Sequence, residues 1–397
     1  MRKLGLVPQI MIAVVLGAVA GVLAPGIAEP LGVLGKLFVA MLKAVAPLLV
    51  LVLVMSAIAN RHESGLDGRK VILTFGLYAV GTVSAAVLAL LMSRAFPQTI
   101  ALSEAAEGSP PVAVTSVLSD VLFKLVDNPI NALLTGNFLG CLTWAVLLGV
   151  GFRKAPEGFR RNLQTLADGV SEIVRYVIRF APPGIFGLVC LTVATVGLEA
   201  LVGYASLAAL LVSAMLLMAL VVNPLVVFAV TRRNPYPVVL RCLEESGITA
   251  FFTRSSAANI PVNLALSKKL GISEELYAVT IPVGATVNMA GAAITITVLT
   301  LAAANTLGIV VSPGSSLLLC LVAALGAAGA SGVPSGSLLL VPLACSLFGI
   351  SYDVSMQVVA VGFIISVVQD SFETALNSST DVVFTYAVDQ IGREPVC

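Results

Sequence analysis

The chain has 397 residues, of which 58% are hydrophobic and only 11% charged, and its formal net charge is +1. A soluble domain carries about 25% charged residues, and a chain of this size has too little polar surface to cover so much apolar material. A soluble enzyme, a disordered chain and a nucleic-acid binder are therefore excluded, and a protein that crosses the bilayer many times remains.

Helices and closed barrels are the two structures that satisfy every backbone polar group in lipid. A barrel would show short alternating segments. Here the apolar runs are continuous, as at 207–230, which defines an all-α polytopic membrane protein. Eight transmembrane helices are expected near 6–25, 31–59, 71–95, 117–151, 162–196, 203–231, 276–304 and 355–388. The first, preceded by Arg2 and Lys3, has the make-up of a signal peptide. The remainder of the chain is equally apolar, so a retained span is expected. Two less regular stretches, 236–266 and 312–348, mix apolar residues with Gly, Pro and small residues.

Orientation follows from Lys and Arg. Cationic clusters occur at Arg2/Lys3, Arg61/Arg69/Lys70, Arg153/Lys154/Arg160/Arg161, Arg232/Arg233/Arg241 and Lys268/Lys269. The loops 97–119, 197–203, 305–315 and 346–354 contain neither residue. The two sets alternate when the N-terminus is cytoplasmic. Arg94 is the exception, at the outer end of the third span, where it can snorkel to the interface. The stretch 236–266 then enters and leaves on the cytoplasmic side, and 312–348 on the outer side. Two opposed re-entrant hairpins, each followed by a span, form an inverted repeat, which is the sequence mark of a transporter's binding region.

The hairpin tips read TRSSAANIP (253–261) and GASGVPSGS (329–337). Small hydroxylated residues let backbone approach a ligand, and helix N-termini beyond the break offer N–H groups to a carboxylate. In the last span, Asp370, Glu373, Thr374, Asn377 and Asp381 lie within an arc of about 100° on one helical face. A carboxylate at bilayer depth costs about 2.5–3.5 kcal/mol on an insertion scale, so each should face a partner or an ion path. Arg254 is the cation at the hairpin tips and can offset one acid; the others are assigned to bound sodium and a substrate ammonium. The seventh span carries GATVNMAGA (284–292). Its glycines favour unwinding, and freed carbonyls with the Asn288 amide oxygen suit a hard cation. The six cysteines, Cys141, Cys190, Cys242, Cys320, Cys345 and Cys397, lack C-x-x-C spacing and read as apolar packing residues. His62 is the one histidine and lies in a charged loop, which disfavours a histidine proton relay.

TRSSAANIP, NMAGA, SGVPSGS and DSFETALNSSTD, in this order along the chain, resemble the motifs of the dicarboxylate/amino acid:cation symporters, the glutamate-transporter family. FFTRSSAANIPVN and GATVNMAGAAITITVLTLAAANTLGI are similar to the bacterial branch that takes up serine and threonine with sodium. The resemblance implies a glutamate-transporter-like inverted-repeat fold in a homotrimer. A scaffold part at about 1–60 and 117–196 would hold a transport part at about 71–95 and 203–388 that moves like an elevator, with the second hairpin as outer gate. By matching position, Asp370 would hold the substrate ammonium, and Asn377 with Ser255 and Ser256 its carboxylate. Thr374, Val333 and Met289 would line the pocket. Asp381, Asn288 and Asn377 with the carbonyls of Gly284 and Asn377 would hold one sodium. Carbonyls of Thr286, Ala327, Ala328 and Ala330 near Met289 would hold a second, if that site is kept.

Two departures sharpen the expectation. Members that carry acidic substrates place an arginine where Glu373 stands, so Glu373 disfavours a dicarboxylate and favours a small hydroxy amino acid. Glu373 would either accept the substrate hydroxyl or pair with Arg254. Ala290 stands where the family has an aspartate that, with third-span residues matched here by Tyr78 and Thr82, forms a further sodium site, so fewer coupled ions are expected. The expected function is sodium-coupled import of L-serine and L-threonine across a bacterial inner membrane, with both termini cytoplasmic and no organic cofactor. The alternatives are a proton-coupled or a broader neutral amino acid/dicarboxylate symporter, an ion channel lined by the acidic stripe, and an intramembrane enzyme.

Overall fold

A computed structural model describes residues 6–60, 68–102, 123, 125–135, 137–328 and 335–391, and among these residues every regular element is helical. The chain forms α1 (Leu6–Leu23), α2 (Ala28–Ala59), α3 (Gly68–Ala95), α4 (Pro129–Thr135), α5 (Phe138–Phe152), α6 (Glu157–Arg179), α7 (Ala181–Val196) and α8 (Glu199–Leu217). A π-helical turn at Met218–Val222 leads into α9 (Asn223–Thr231). Pro224 lacks an N–H, and the slip in the hydrogen-bond ladder just before it absorbs that loss.

The first irregular stretch is α10 (Tyr236–Cys242), a π-helical turn (Leu243–Gly247) and α11 (Ile248–Thr253), then a break, then α12 (Ser256–Lys269). The second begins with α15 (Pro313–Ala327) and resumes, after the undescribed residues 329–334, as a 3-10 turn (Gly336–Leu340), α16 (Val341–Cys345) and a second 3-10 turn (Ser346–Phe348). Between the two stretches lie α13 (Glu274–Val287) and α14 (Ala290–Thr306), and the described chain closes with α17 (Tyr352–Asp389). With 38 residues, α17 is about 57 Å long at 1.5 Å per residue, well beyond the hydrocarbon core of about 30 Å.

Among the described residues, four continuous stretches are long and apolar enough to cross a bilayer: Arg69–Ala95, Leu201–Thr231, Glu274–Thr306 and Tyr352–Asp389. Two bent pairs pass the same test together, Pro8–Leu23 with Pro25–Met41 at 114° and Glu157–Arg179 with Ala181–Thr195 at 47°. The second pair refines the sequence reading, in which 162–196 is one span. Leu163, Ala167, Val170, Val174 and Ile178 form a buried stripe along α6, while Glu157, Arg160, Arg161, Asp168, Glu172, Arg175 and Arg179 of the same helix lie outside that stripe. Such a helix is amphipathic, and Pro182 and Pro183 in the first turn of α7 make the break.

Helices α1, α2, α5, α6 and α7 pack mainly on one another, as do α3, α8 and α10–α17. The two groups meet where α17 passes α1, α2 and α7, for example through the edge-to-face pair Phe38–Phe363, whose ring centroids are 5.2 Å apart. At the centre of the second group, α14 is buried continuously from Ala290 to Ala304, as a helix that is apolar all round must be. Cys141, Cys190, Cys242, Cys320 and Cys345 are buried free thiols, and Cys397 and His62 lie outside the described residues.

Candidate functional site

Three breaks in helical backbone face the polar stripe of α17: the tip between α11 and α12, the gap between α13 and α14, and the start of the second arm of the later stretch. Arg254 and Ser335 both sit in the left-handed region, at φ 52° and 57°. An L-residue costs about 1–2 kcal/mol there, and such strain gathers where a structure holds a functional arrangement.

The upper part of the stripe contains two acids one turn apart. Asp370 Oδ2 accepts from Nε of Arg254 at 2.7 Å and forms an ion pair with its Nη2, also at 2.7 Å. Its Oδ1 accepts the backbone N–H of Ser335 at 3.1 Å. Arg254 Nη2 also reaches Ser335 Oγ at 3.3 Å and the Ser366 carbonyl at 3.5 Å. Of the two expected partners for Glu373, Arg254 is therefore taken by Asp370. Glu373 Oε2 accepts instead from Thr295 Oγ1 at 2.8 Å, from Ser337 Oγ at 2.9 Å and from Gln369 Nε2. Arg254, Asp370 and Glu373 are all buried. Thr374 is buried beside them, its hydroxyl donating to the Asp370 carbonyl at 2.8 Å.

The lower part is built differently. Asn288, in the gap between α13 and α14, donates through Nδ2 to Asp381 Oδ1 at 3.0 Å and to the Asn377 carbonyl at 3.4 Å. Asn377 Oδ1 accepts the Gly291 N–H at 2.7 Å, and its Nδ2 donates to Met289 Sδ at 3.3 Å. Asp381 Oδ2 and Asn288 Oδ1 are buried and have no hydrogen-bond partner among the described residues. Both side chains are fully buried. A buried oxygen without a donor is costly, and a small hard cation could satisfy these two, one on the carboxylate and one on the amide bonded to it. Gly284 lets this centre close: a Cβ there would lie 2.7 Å from Asp381 Oδ1 and 2.9 Å from the Tyr78 hydroxyl. That hydroxyl is engaged by the carbonyls of Thr280 and Asp381, each at 3.2 Å, and by Thr385 Oγ1 at 3.0 Å. Thr82 Oγ1 bonds back to the Tyr78 carbonyl at 2.8 Å, and Ala290 is fully buried.

The remaining sequence candidates are less gathered. Ser255 Oγ caps α12 by accepting from the Ala258 N–H at 3.2 Å, and Ser256 opens that helix half-buried. Thr286, in the last turn of α13, donates to the Val283 carbonyl at 2.8 Å. Ala327 ends α15 and Ala328 caps it; Ala330 and Val333 lie outside the described residues. Sequence reasoning missed Gln369 and Thr295 and assigned no role to Ser335 or Ser337. The available signal was weak: each is an uncharged polar residue beside an apolar run.

Broken helices around a buried centre of acids and amides, in an all-helical membrane fold, define a secondary transporter. The model of the sodium:dicarboxylate symporter family matches residues 6–391, and the chain belongs to that family. Membership makes it a multi-pass membrane protein of a sodium-coupled symporter family, with substrates of the dicarboxylate and amino acid class.

Proposed function

We propose that this chain imports L-serine and L-threonine together with sodium across a bacterial inner membrane, with both termini cytoplasmic. The observation that carries the reading is Glu373. It is buried, held by three neutral donors, and no cationic side chain among the described residues bridges to it. Arg254, the cation at the tip between α11 and α12, is committed to Asp370. A substrate with a side-chain carboxylate would meet an acid here, whereas a hydroxyl can donate to it. The substrate ammonium would share Asp370 with Arg254, and its carboxylate would meet Asn377 and the Ser255–Ser256 tip.

Asp381, Asn288, Asn377 and Gly284 would hold the coupled sodium; the two unpartnered oxygens support that role. The Tyr78 hydroxyl is oriented by donation to the carbonyls of Thr280 and Asp381, and Ala290 brings no charge, so we infer one coupled sodium. At 100 mV one charge is worth about 2.3 kcal/mol, roughly a fifty-fold accumulation of a neutral solute. In the same reading α1, α2 and α4–α7 form the scaffold of a homotrimer, and α3 with α8–α17 moves as the transport part.

The test is uptake of labelled L-serine into proteoliposomes, with an inward sodium gradient in one set and a proton gradient without sodium in the other. Concentrative uptake with sodium alone, little affected by excess L-aspartate, is expected. Uptake driven equally by protons would overturn sodium coupling, and L-aspartate uptake rivalling that of L-serine would overturn the substrate.

A further inference from the structure

Gln369 is fully buried in the middle of α17, one turn before Glu373. Its Nε2 donates to Glu373 Oε2 and, at 2.8 Å, to Thr295 Oγ1. Its Oε1 has no partner among the described residues. An amide with an unpaired buried oxygen is costlier than an apolar side chain of the same shape, so stability alone does not account for it. The Thr295 hydroxyl has one proton and two acceptors in reach, the Gly291 carbonyl at 3.1 Å and Glu373 Oε2 at 2.8 Å. By donating to Thr295, Gln369 occupies a lone pair of that hydroxyl and leaves its proton for Glu373. Ser337 adds the third donor to the same carboxylate oxygen at 2.9 Å. All three donors converge on Oε2, and Oε1 takes none from the described residues.

We propose that Gln369 is a positioning residue that sets substrate specificity: it anchors one oxygen of Glu373, away from Arg254, and so presents the other to the hydroxyl of the substrate. The proposal rests on the reading of Glu373 as the hydroxyl acceptor. With Oε2 held, Oε1 gains a hydrogen bond from L-serine and none from L-alanine, whereas a loose carboxylate turns to Arg254 and loses the distinction.

The test is Gln369→Met, which keeps length and removes the amide, in the full-length protein reconstituted in proteoliposomes. KM and maximal rate for L-serine, Ki of L-alanine and the sodium concentration for half-activation are measured together. The expected result is a KM for L-serine raised about tenfold, the loss of roughly one hydrogen bond, with L-alanine and sodium moved less than threefold. Parallel weakening of serine, alanine and sodium, or a serine KM within twofold of the unmodified protein, overturns the proposal. Should Gln369→Met fail to fold, Thr295→Val removes another donor to the same oxygen and carries the same prediction. Glu373→Gln separates the two levels. If it too leaves serine unmoved, the reading of Glu373 fails; if it weakens serine and Gln369→Met does not, the positioning role alone fails.

Discussion

The two acid centres of α17 lie on one face and differ in how their charge is answered. At the upper centre the protein supplies its own donors: Arg254 and the Ser335 N–H for Asp370, and a ring of hydroxyl and amide donors for Glu373. At the lower centre Asp381 has one donor from Asn288 and an oxygen left over, and Asn288 has another. A carboxylate already served by the protein can only exchange partners, which suits a site that selects among organic ligands. A carboxylate left short of donors binds whatever small cation fits, which suits a coupling ion.

The strongest way to break this contrast is Asp381→Asn. Removing the charge from the centre that lacks a counter-ion should raise the sodium concentration for half-activation on the order of 100-fold, equivalent to about 2.7 kcal/mol. Sodium that binds only the folded protein also raises its melting temperature. That rise, measured in NaCl against choline chloride, should be present in the unmodified protein and lost in Asp381→Asn. A sodium-dependent rise that survives the substitution would mean that the lower centre is an ordinary packed network.

Smaller effects follow from the two glycines that let α13 and α14 approach α17. A Cβ at Gly284 would fall 2.7 Å from Asp381 Oδ1, and one at Gly291 would fall 2.9 Å from Cα and Cγ of Glu373. Overpacking of this kind costs about 1–3 kcal/mol. Gly284→Ala should weaken sodium activation roughly tenfold with the larger effect on the ion, and Gly291→Ala should lower the serine-to-alanine preference with the larger effect on the substrate. Sodium titrations and alanine competition on both variants check this. Equal damage to both readouts by each substitution would show that the two centres act as one.

Much of this arrangement is legible in the sequence because charge in an apolar span is conspicuous. Asp370, Glu373 and Asp381 announce a polar face, and the opposed stretches announce the broken helices that meet it. Which acid takes Arg254 is not legible, because Asp370 and Glu373 are one turn apart and only the turn of the first tip selects between them. The hydroxyls are hidden for another reason. Thr374, Ser379 and Thr380 bond back to carbonyls of their own helix, as buried hydroxyls commonly do. Nothing local separates them from Ser337 or Ser378, which bond to another element. The buried knot of Ser246, Asn259, Asn263 and Ser378 that ties the first hairpin to α17 escaped for the same reason. The bend before α7 was missed because the apolar run after Phe180 masked the charged face of α6.

The smallest expected effect bears on how many ions the lower centre takes. Tyr78→Phe removes a hydroxyl that already has three partners and leaves its ring against Phe384, at 6.3 Å between centroids. A neutral internal hydrogen bond is worth about 1 kcal/mol, so a slightly lower melting temperature is expected. Sodium activation should keep its steepness and move less than threefold, because turning to an ion would cost this hydroxyl its bonds to the Thr280 and Asp381 carbonyls and Ala290 brings no charge. Thr82 offers no substitute, since its hydroxyl is turned back on the Tyr78 carbonyl. A shallower activation curve in Tyr78→Phe would mean that this hydroxyl leaves its partners to ligate a second sodium. The neutral Ala290 would then not have closed that site, and the lower centre would have to be counted as two.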